Sequence, residues 1–201
     1  MLFHYHFWTP YVEETERFYL ENGFRISLRV GKYNGEFQTF NPPLQWEDFR
    51  KQNILFRIVE MRKGAVNITF GYGKKIMFDH IGYIVSDDEL GHICDKAKAM
   101  NWMVNRGERR TFITTPYGFR IELQTHIEVV DELESNIHLQ QLTLLIRRKG
   151  LENDLATLFQ HRNHQIIAKL SQKVTIQEAI IPGLMSADCS DPNGVRILNH
   201  L

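Results

Sequence analysis

The chain opens in strict alternation. In LFHYHFW, residues 2–8, Leu2, His4, His6 and Trp8 fall on one side of an extended strand, and Phe3, Tyr5 and Phe7 on the other. The period then lengthens in YVEETERFYLENG, where Val12 and Tyr19 share a helical stripe with Thr15 or Glu16 between them and Gly23 is placed to end the helix. FRISLRV, GEFQTF, ILFRIVEM and AVNITFGY follow as strands, with NPPLQWEDFRKQ between them as a loop carrying one helical turn.

The same order then returns in shorter form. DHIGYIV reads as a strand, Asp87 or Asp88 can cap the helix behind it, and Leu90, Ile93, Cys94, Ala97 and Met100 recur at helical spacing. WMVNRGERRTFITT and GFRIELQT supply strands that PYG turns between. After the acidic connector IEVVDELESN, a third segment runs through the strand LQQLTLLIR and the helix GLENDLATLFQHR to the strands HQIIAKLS, VTIQEAII and VRILNHL. YGFRIEL in the second segment and NGVRILN in the third both enter a last strand as Gly-x-Arg-Ile after a turn. A recurring order with a recurring turn predicts an internal repeat of one small unit.

Composition narrows the partners. Lysine plus arginine (24) balances aspartate plus glutamate (24), so net charge gives no reason to expect nucleic acid or an anionic membrane surface. No apolar run approaches the roughly 20 residues of a membrane span, and the N-terminus has no basic region of the kind a leader carries. Two cysteines, Cys94 and Cys189, make no disulfide framework, and Cys94 sits where packing explains it. These features predict a cytoplasmic protein.

The unit of strand, helix and three strands resembles the vicinal oxygen chelate superfamily, which includes glyoxalase I, extradiol dioxygenases and the fosfomycin and bleomycin resistance proteins. The resemblance rests on FHYHFWTPYVEETERFYLENGF, on DHIGYIVSD and on TPYGFRIELQ. It implies an α+β fold of repeated βαβββ modules. Two modules, about 1–78 and 79–126, would pair into a cup-shaped mixed sheet, and 138–201 would form a third, degenerate module able to join two chains as a homodimer. It also implies metal ligands on first and last strands: His4, His80 and Glu122, holding one divalent ion (Fe, Mn, Zn, Ni or Co).

The residues agree with that assignment on their own terms. Phe119, Ile121 and Leu123 make one apolar face of their strand, while Arg120, Glu122 and Gln124 make the other. Ile81, Tyr83 and Val85 likewise turn away from His80 and Gly82. A face offering two histidines and a carboxylate suits a divalent metal with open positions. The family's second carboxylate has no counterpart: no Asp or Glu lies between Glu60 and Asp79, so Asn67 or Thr69 takes its place. His6 is a candidate catalytic imidazole, and Trp8, Arg109 and Arg110 are candidates for substrate contact; Arg109 and Arg110 equally suit an exposed strand edge. Third-segment Leu198 replaces the carboxylate of Glu122.

The expected function is a metal-dependent enzyme acting on a small oxygen-rich substrate, by lyase, dioxygenase or antibiotic-modifying transferase chemistry. The alternative is a bleomycin-resistance-type protein that sequesters a ligand without catalysis.

Overall fold

The computed structural model describes residues 1–160, 164–184 and 188–199. The first module runs β1 (Leu2–Thr9), α1 (Val12–Glu21), β2 (Arg25–Tyr33), β3 (Glu36–Thr39), the short helix α2 (Trp46–Phe49), β4 (Leu55–Lys63) and β5 (Val66–Tyr72). The second runs β6 (Met77–Ile84), α3 (Asp87–Ala99), β7 (Met103–Arg106), β8 (Thr111–Thr114) and β9 (Arg120–Gln124). Their strands form one mixed nine-stranded sheet in the order β3-β2-β4-β5-β1-β6-β9-β8-β7. Each module pairs its first strand parallel to its last, β1 with β5 and β6 with β9. The two modules join where β1 and β6 lie antiparallel at the centre. No helix is long and apolar enough to cross a membrane.

Local chemistry accounts for the helix ends. Gly23 adopts φ +80° past α1, where the N–H groups of Gly23 and Phe24 bond back to Leu20 and Tyr19. The cap of α3 is Ser86, one residue before the expected aspartates. Its hydroxyl accepts from the Glu89 N–H while the Glu89 carboxylate accepts from the Ser86 N–H, a reciprocal pair that neither aspartate could complete with Glu89.

The alternation of β1 breaks once, and the break matters. Leu2 pairs with Tyr83 and His4 with Gly82, so two steps of β1 oppose one of β6. The bulge at Phe3 turns Leu2 into the core with Tyr5 and Phe7 and brings Phe3 to the opposite face beside His4, which reverses the expected sides of both residues. A second bulge lies on β6, where His6 pairs with His80 and Phe7 with Phe78, leaving Asp79 as the extra residue.

The third unit comprises β10 (Gln141–Ile146), α4 (Leu151–Phe159), β11 (Ile166–Leu170), β12 (Thr175–Ile180), β13 (Cys189–Ser190) and β14 (Arg196–Leu198). It forms its own sheet in the order β11-β10-β12-β14-β13. Element order is repeated here but strand pairing is not: β10 pairs with β11 and β12 instead of with the last strand. The shared turn is repeated faithfully. Gly118 and Gly194 take φ +89° and +85°, and the N–H groups of Thr115 and Asp191 each bond to the carbonyl four residues on. The ends of the expected α4 (161–162) and of the last strand (200–201) lie outside the described residues.

The third unit packs on the helix side of the large sheet. Phe159 meets Tyr83 with ring centroids 4.6 Å apart, and the Tyr117 hydroxyl donates to Asp154 at 2.7 Å. Asp191 is buried, which raises its pKa against the hydrogen bonds that hold its anion. It accepts from the Tyr19 hydroxyl (3.0 Å) and from the backbone N–H of Asn193 and Val195. Asp191→Ala strands the backbone N–H groups of Asn193 and Val195 and is expected to cost about 2–3 kcal/mol, measured by urea unfolding; Tyr19→Phe removes one donor to Asp191 and also takes from the buried Tyr5 hydroxyl its 2.8 Å partner, so it should cost about 1–2 kcal/mol.

Candidate metal centre

His4 stands on β1, His80 on β6 and Glu122 on β9, all buried. Register brings them together: His4 lies opposite Gly82, and Gly82 opposite Glu122. His4 Nε2 is 3.1 Å from His80 Nε2, which in turn is 3.1 Å from Glu122 Oε2. These ligand atoms all lie within 4.8 Å of one another. Gly82 makes the approach possible, since a Cβ there would stand 2.8 Å from the His4 Cβ.

The far side of each imidazole fixes its proton. His4 Nδ1 lies 2.9 Å from the Asn67 carbonyl and His80 Nδ1 lies 2.7 Å from the Asp79 carboxylate, both pure acceptors. Each ring therefore carries its hydrogen on Nδ1 and aims an Nε2 lone pair inward. Glu122 is held likewise: Gln124 donates to Oε1 at 2.8 Å, leaving Oε2 toward the histidines, with Arg110 Nη1 at 3.4 Å. Three converging lone pairs repel unless a proton or a cation lies among them, so the donor set fits a divalent metal.

The electrostatics follow. Burial pulls His4 down to about 4, keeping it neutral, and holds His6 well below the usual histidine range. Burial also works against a charged His80, but hydrogen bonds and the charges of Asp79 and Glu122 outweigh it and raise its pKa. Glu122 is desolvated too, yet His80, His4 and Arg110 hold its carboxyl well below the ordinary range. The raised pKa of His80 lets a proton on Nε2 take the cation's place when no metal is bound.

The cluster opens onto a cavity of about 280 Å³ whose wall includes Phe3, Glu60, Thr69, Arg109 and Arg110. Both arginines sit in the turn between β7 and β8, so the candidates for substrate contact do reach the cup. Trp8 shares the face of His4 but lies outside that cavity wall, edge-on to His6 at 4.7 Å and under the Arg57 guanidinium. His6 stacks flat on His80 with ring centroids 5.0 Å apart and bonds through Nδ1 to Thr69 Oγ1. It is one layer behind the cavity.

Two features escape the sequence pattern. Asp79 precedes His80, and neighbours in a regular strand face opposite ways; the bulge lets Asp79 reach His80 Nδ1 while also pairing with Arg120. Glu60, one strand beyond β5, faces the cup and is held by Ser27 and by Arg62 Nε at 2.7 Å. Its place opposite Thr69 is legible only once β4 and β5 are in register.

The architecture is that of the vicinal oxygen chelate fold. The chain is similar to 2,2',3-trihydroxybiphenyl 1,2-dioxygenase of the dibenzofuran-degrading Sphingomonas wittichii strain RW1, with TM-score 0.61 and 12% identity over 92% of this chain and 73% of that one. It is similar to homoprotocatechuate 2,3-dioxygenase of Arthrobacter globiformis, with TM-score 0.63 and 11% identity over 99% of this chain and 79% of that one. It is also similar to a Mn(II)-bound glyoxalase of Novosphingobium aromaticivorans, with TM-score 0.58 and 8% identity over 90% and 64%. No protein-family model matches the chain, and no curated protein matches its sequence.

Proposed function

We propose that the protein is a divalent-metal-dependent enzyme that binds a small molecule through two neighbouring oxygens, of the catechol type, and acts on it as a dioxygenase or lyase. The observation that carries this reading is the convergence of His4 Nε2, His80 Nε2 and Glu122 Oε2, each oriented by a second partner. Two histidines and one carboxylate leave several positions of a six-coordinate ion open. When bound, such an ion supplies Lewis acidity to coordinated oxygens.

The chain's own residues do the rest. Asn67 and Asp79 keep both imidazoles in the ligating tautomer, and Gln124 keeps one carboxylate oxygen turned inward. Arg110, 46% exposed at the cavity wall and only loosely bonded to Glu122, is free to meet an anionic group on the substrate. His4, His80 and Glu122 are themselves buried, which strengthens the contacts that orient them.

The test is elemental analysis of protein purified without chelators, followed by assays of the loaded protein with catechols and with thiol adducts of methylglyoxal. About one metal per chain is expected. Full occupancy in a variant lacking His4, His80 and Glu122 together would sink the assignment, and a metal-free parent that still binds a drug-like ligand would favour sequestration.

A further inference from the structure

Thr69 stands on β5 beside the metal ligands, on the strand that lacks a carboxylate. Its Oγ1 lies 2.6 Å from His6 Nδ1 and 3.4 Å from His4 Nε2, and it forms part of the cavity wall. Behind it, His6 is buried and its Nε2 has no hydrogen-bond partner. That orphaned atom decides the direction of the Thr69 hydroxyl.

A neutral imidazole carries its proton on one nitrogen or the other. A proton on His6 Nε2 would bury an N–H with no acceptor, which folded proteins rarely tolerate. A proton on Nδ1 leaves only an acceptor lone pair unmet, the less costly orphan. His6 Nδ1–H therefore donates to Thr69 Oγ1, and the hydroxyl proton of Thr69 is released to point elsewhere. Its other partner in the structure is His4 Nε2, the lone pair that a metal would take. With that lone pair engaged, the hydroxyl faces whatever oxygen shares the ion with His4.

Resting on the metal-enzyme reading above, we propose that Thr69, oriented by His6, donates a hydrogen bond to an anionic oxygen of the chelating ligand. Thr69 is then a ligand-binding residue and His6 a positioning residue.

Two measurements test this. In Zn(II)-loaded protein, long-range ¹H–¹⁵N correlation of the imidazoles, with His6 assigned by its loss in His6→Phe, should show the His6 proton on Nδ1; a proton on Nε2 overturns the proposal. In Co(II)-loaded protein, acetohydroxamate serves as a two-oxygen chelating probe, titrated by absorption. Thr69→Val and His6→Phe should each bind it about tenfold or more weakly at unchanged metal content, while Thr69→Ser should retain the parental affinity. Unchanged affinity in Thr69→Val at full loading, or a loaded parent that takes no acetohydroxamate, overturns the inference alone. A parent that holds no metal overturns the functional reading and this inference with it.

Discussion

Glu16→Ala is expected to lower stability by about 3–5 kcal/mol, read as the shift in the urea unfolding midpoint at constant slope. Arg29 and Glu16 are 0% and 1% exposed, and they meet through two parallel bonds of 2.6 Å. Every nitrogen of the guanidinium and both oxygens of the carboxylate have a partner. Arg29 Nη1 donates to the carbonyls of Phe40 and Leu44, and the Trp46 indole N–H donates to Glu16 Oε1. Removing the carboxylate leaves a guanidinium buried with no counter-charge, which is the costly event; the pair itself contributes far less than its loss suggests. On a chain of this size the loss lowers Tm by roughly 2–4 °C per kcal/mol. The double variant Glu16→Leu with Arg29→Met removes both charges at once, so it should be closer to the parent than either single variant. A double variant as damaged as the sum of the singles would show that the cost lies in packing and not in the stranded charge.

The second large effect falls on the metal. Asp79→Asn is expected to weaken metal binding about 10–100-fold, measured by competition with a chromophoric chelator. The carboxylate takes the His80 Nδ1–H at 2.7 Å and makes Nε2 a stronger donor to the ion; a neutral amide keeps the contact and loses that push. The pH profile separates this from general damage. Because the pKa of His80 is raised in the metal-free protein, a proton competes for Nε2 from a higher pH than for an ordinary histidine. Apparent affinity should therefore fall on acidification below that pKa, by about tenfold per pH unit for one displaced proton. Without the charge of Asp79 the proton is held less tightly too, so the variant should bind less well at high pH and begin its decline at lower pH. A decline that stays where the parent's begins would count against the role given to Asp79.

Much of this was legible in residue order. The switch from period two to helical spacing and back marks β1, α1, β6 and α3 correctly, and the shared Gly-x-Arg-Ile after a turn marks β9 and β14. The meeting of the three candidate ligands was also readable in part, because alternation puts His80 and Glu122 opposite their strands' apolar faces. Alternation fails where a strand carries an extra residue. The bulges at Phe3 and Asp79 exchange the sides of Leu2 and Phe3 and aim a carboxylate at His80, and no periodic pattern encodes them. The partner of His4 Nδ1 was illegible for another reason: it is a backbone carbonyl, which every residue has. Glu16 illustrates a third limit. The stripe of Val12 and Tyr19 leaves Thr15 or Glu16 between them, and the structure buries both; what spacing could not supply is the partner of Glu16, an arginine on another element. Pairing in the third unit depends on which strands meet, and element order alone leaves that open.

The antiparallel join of β1 and β6 has a bearing on how the protein is held together. His4 belongs to one module, whereas His80 and Glu122 belong to the other. An ion bound in their midst would thus be a rivet across the midline of the sheet, since neither half owns all three candidate ligands. Its binding energy would oppose the parting of the halves more than the unravelling of either one.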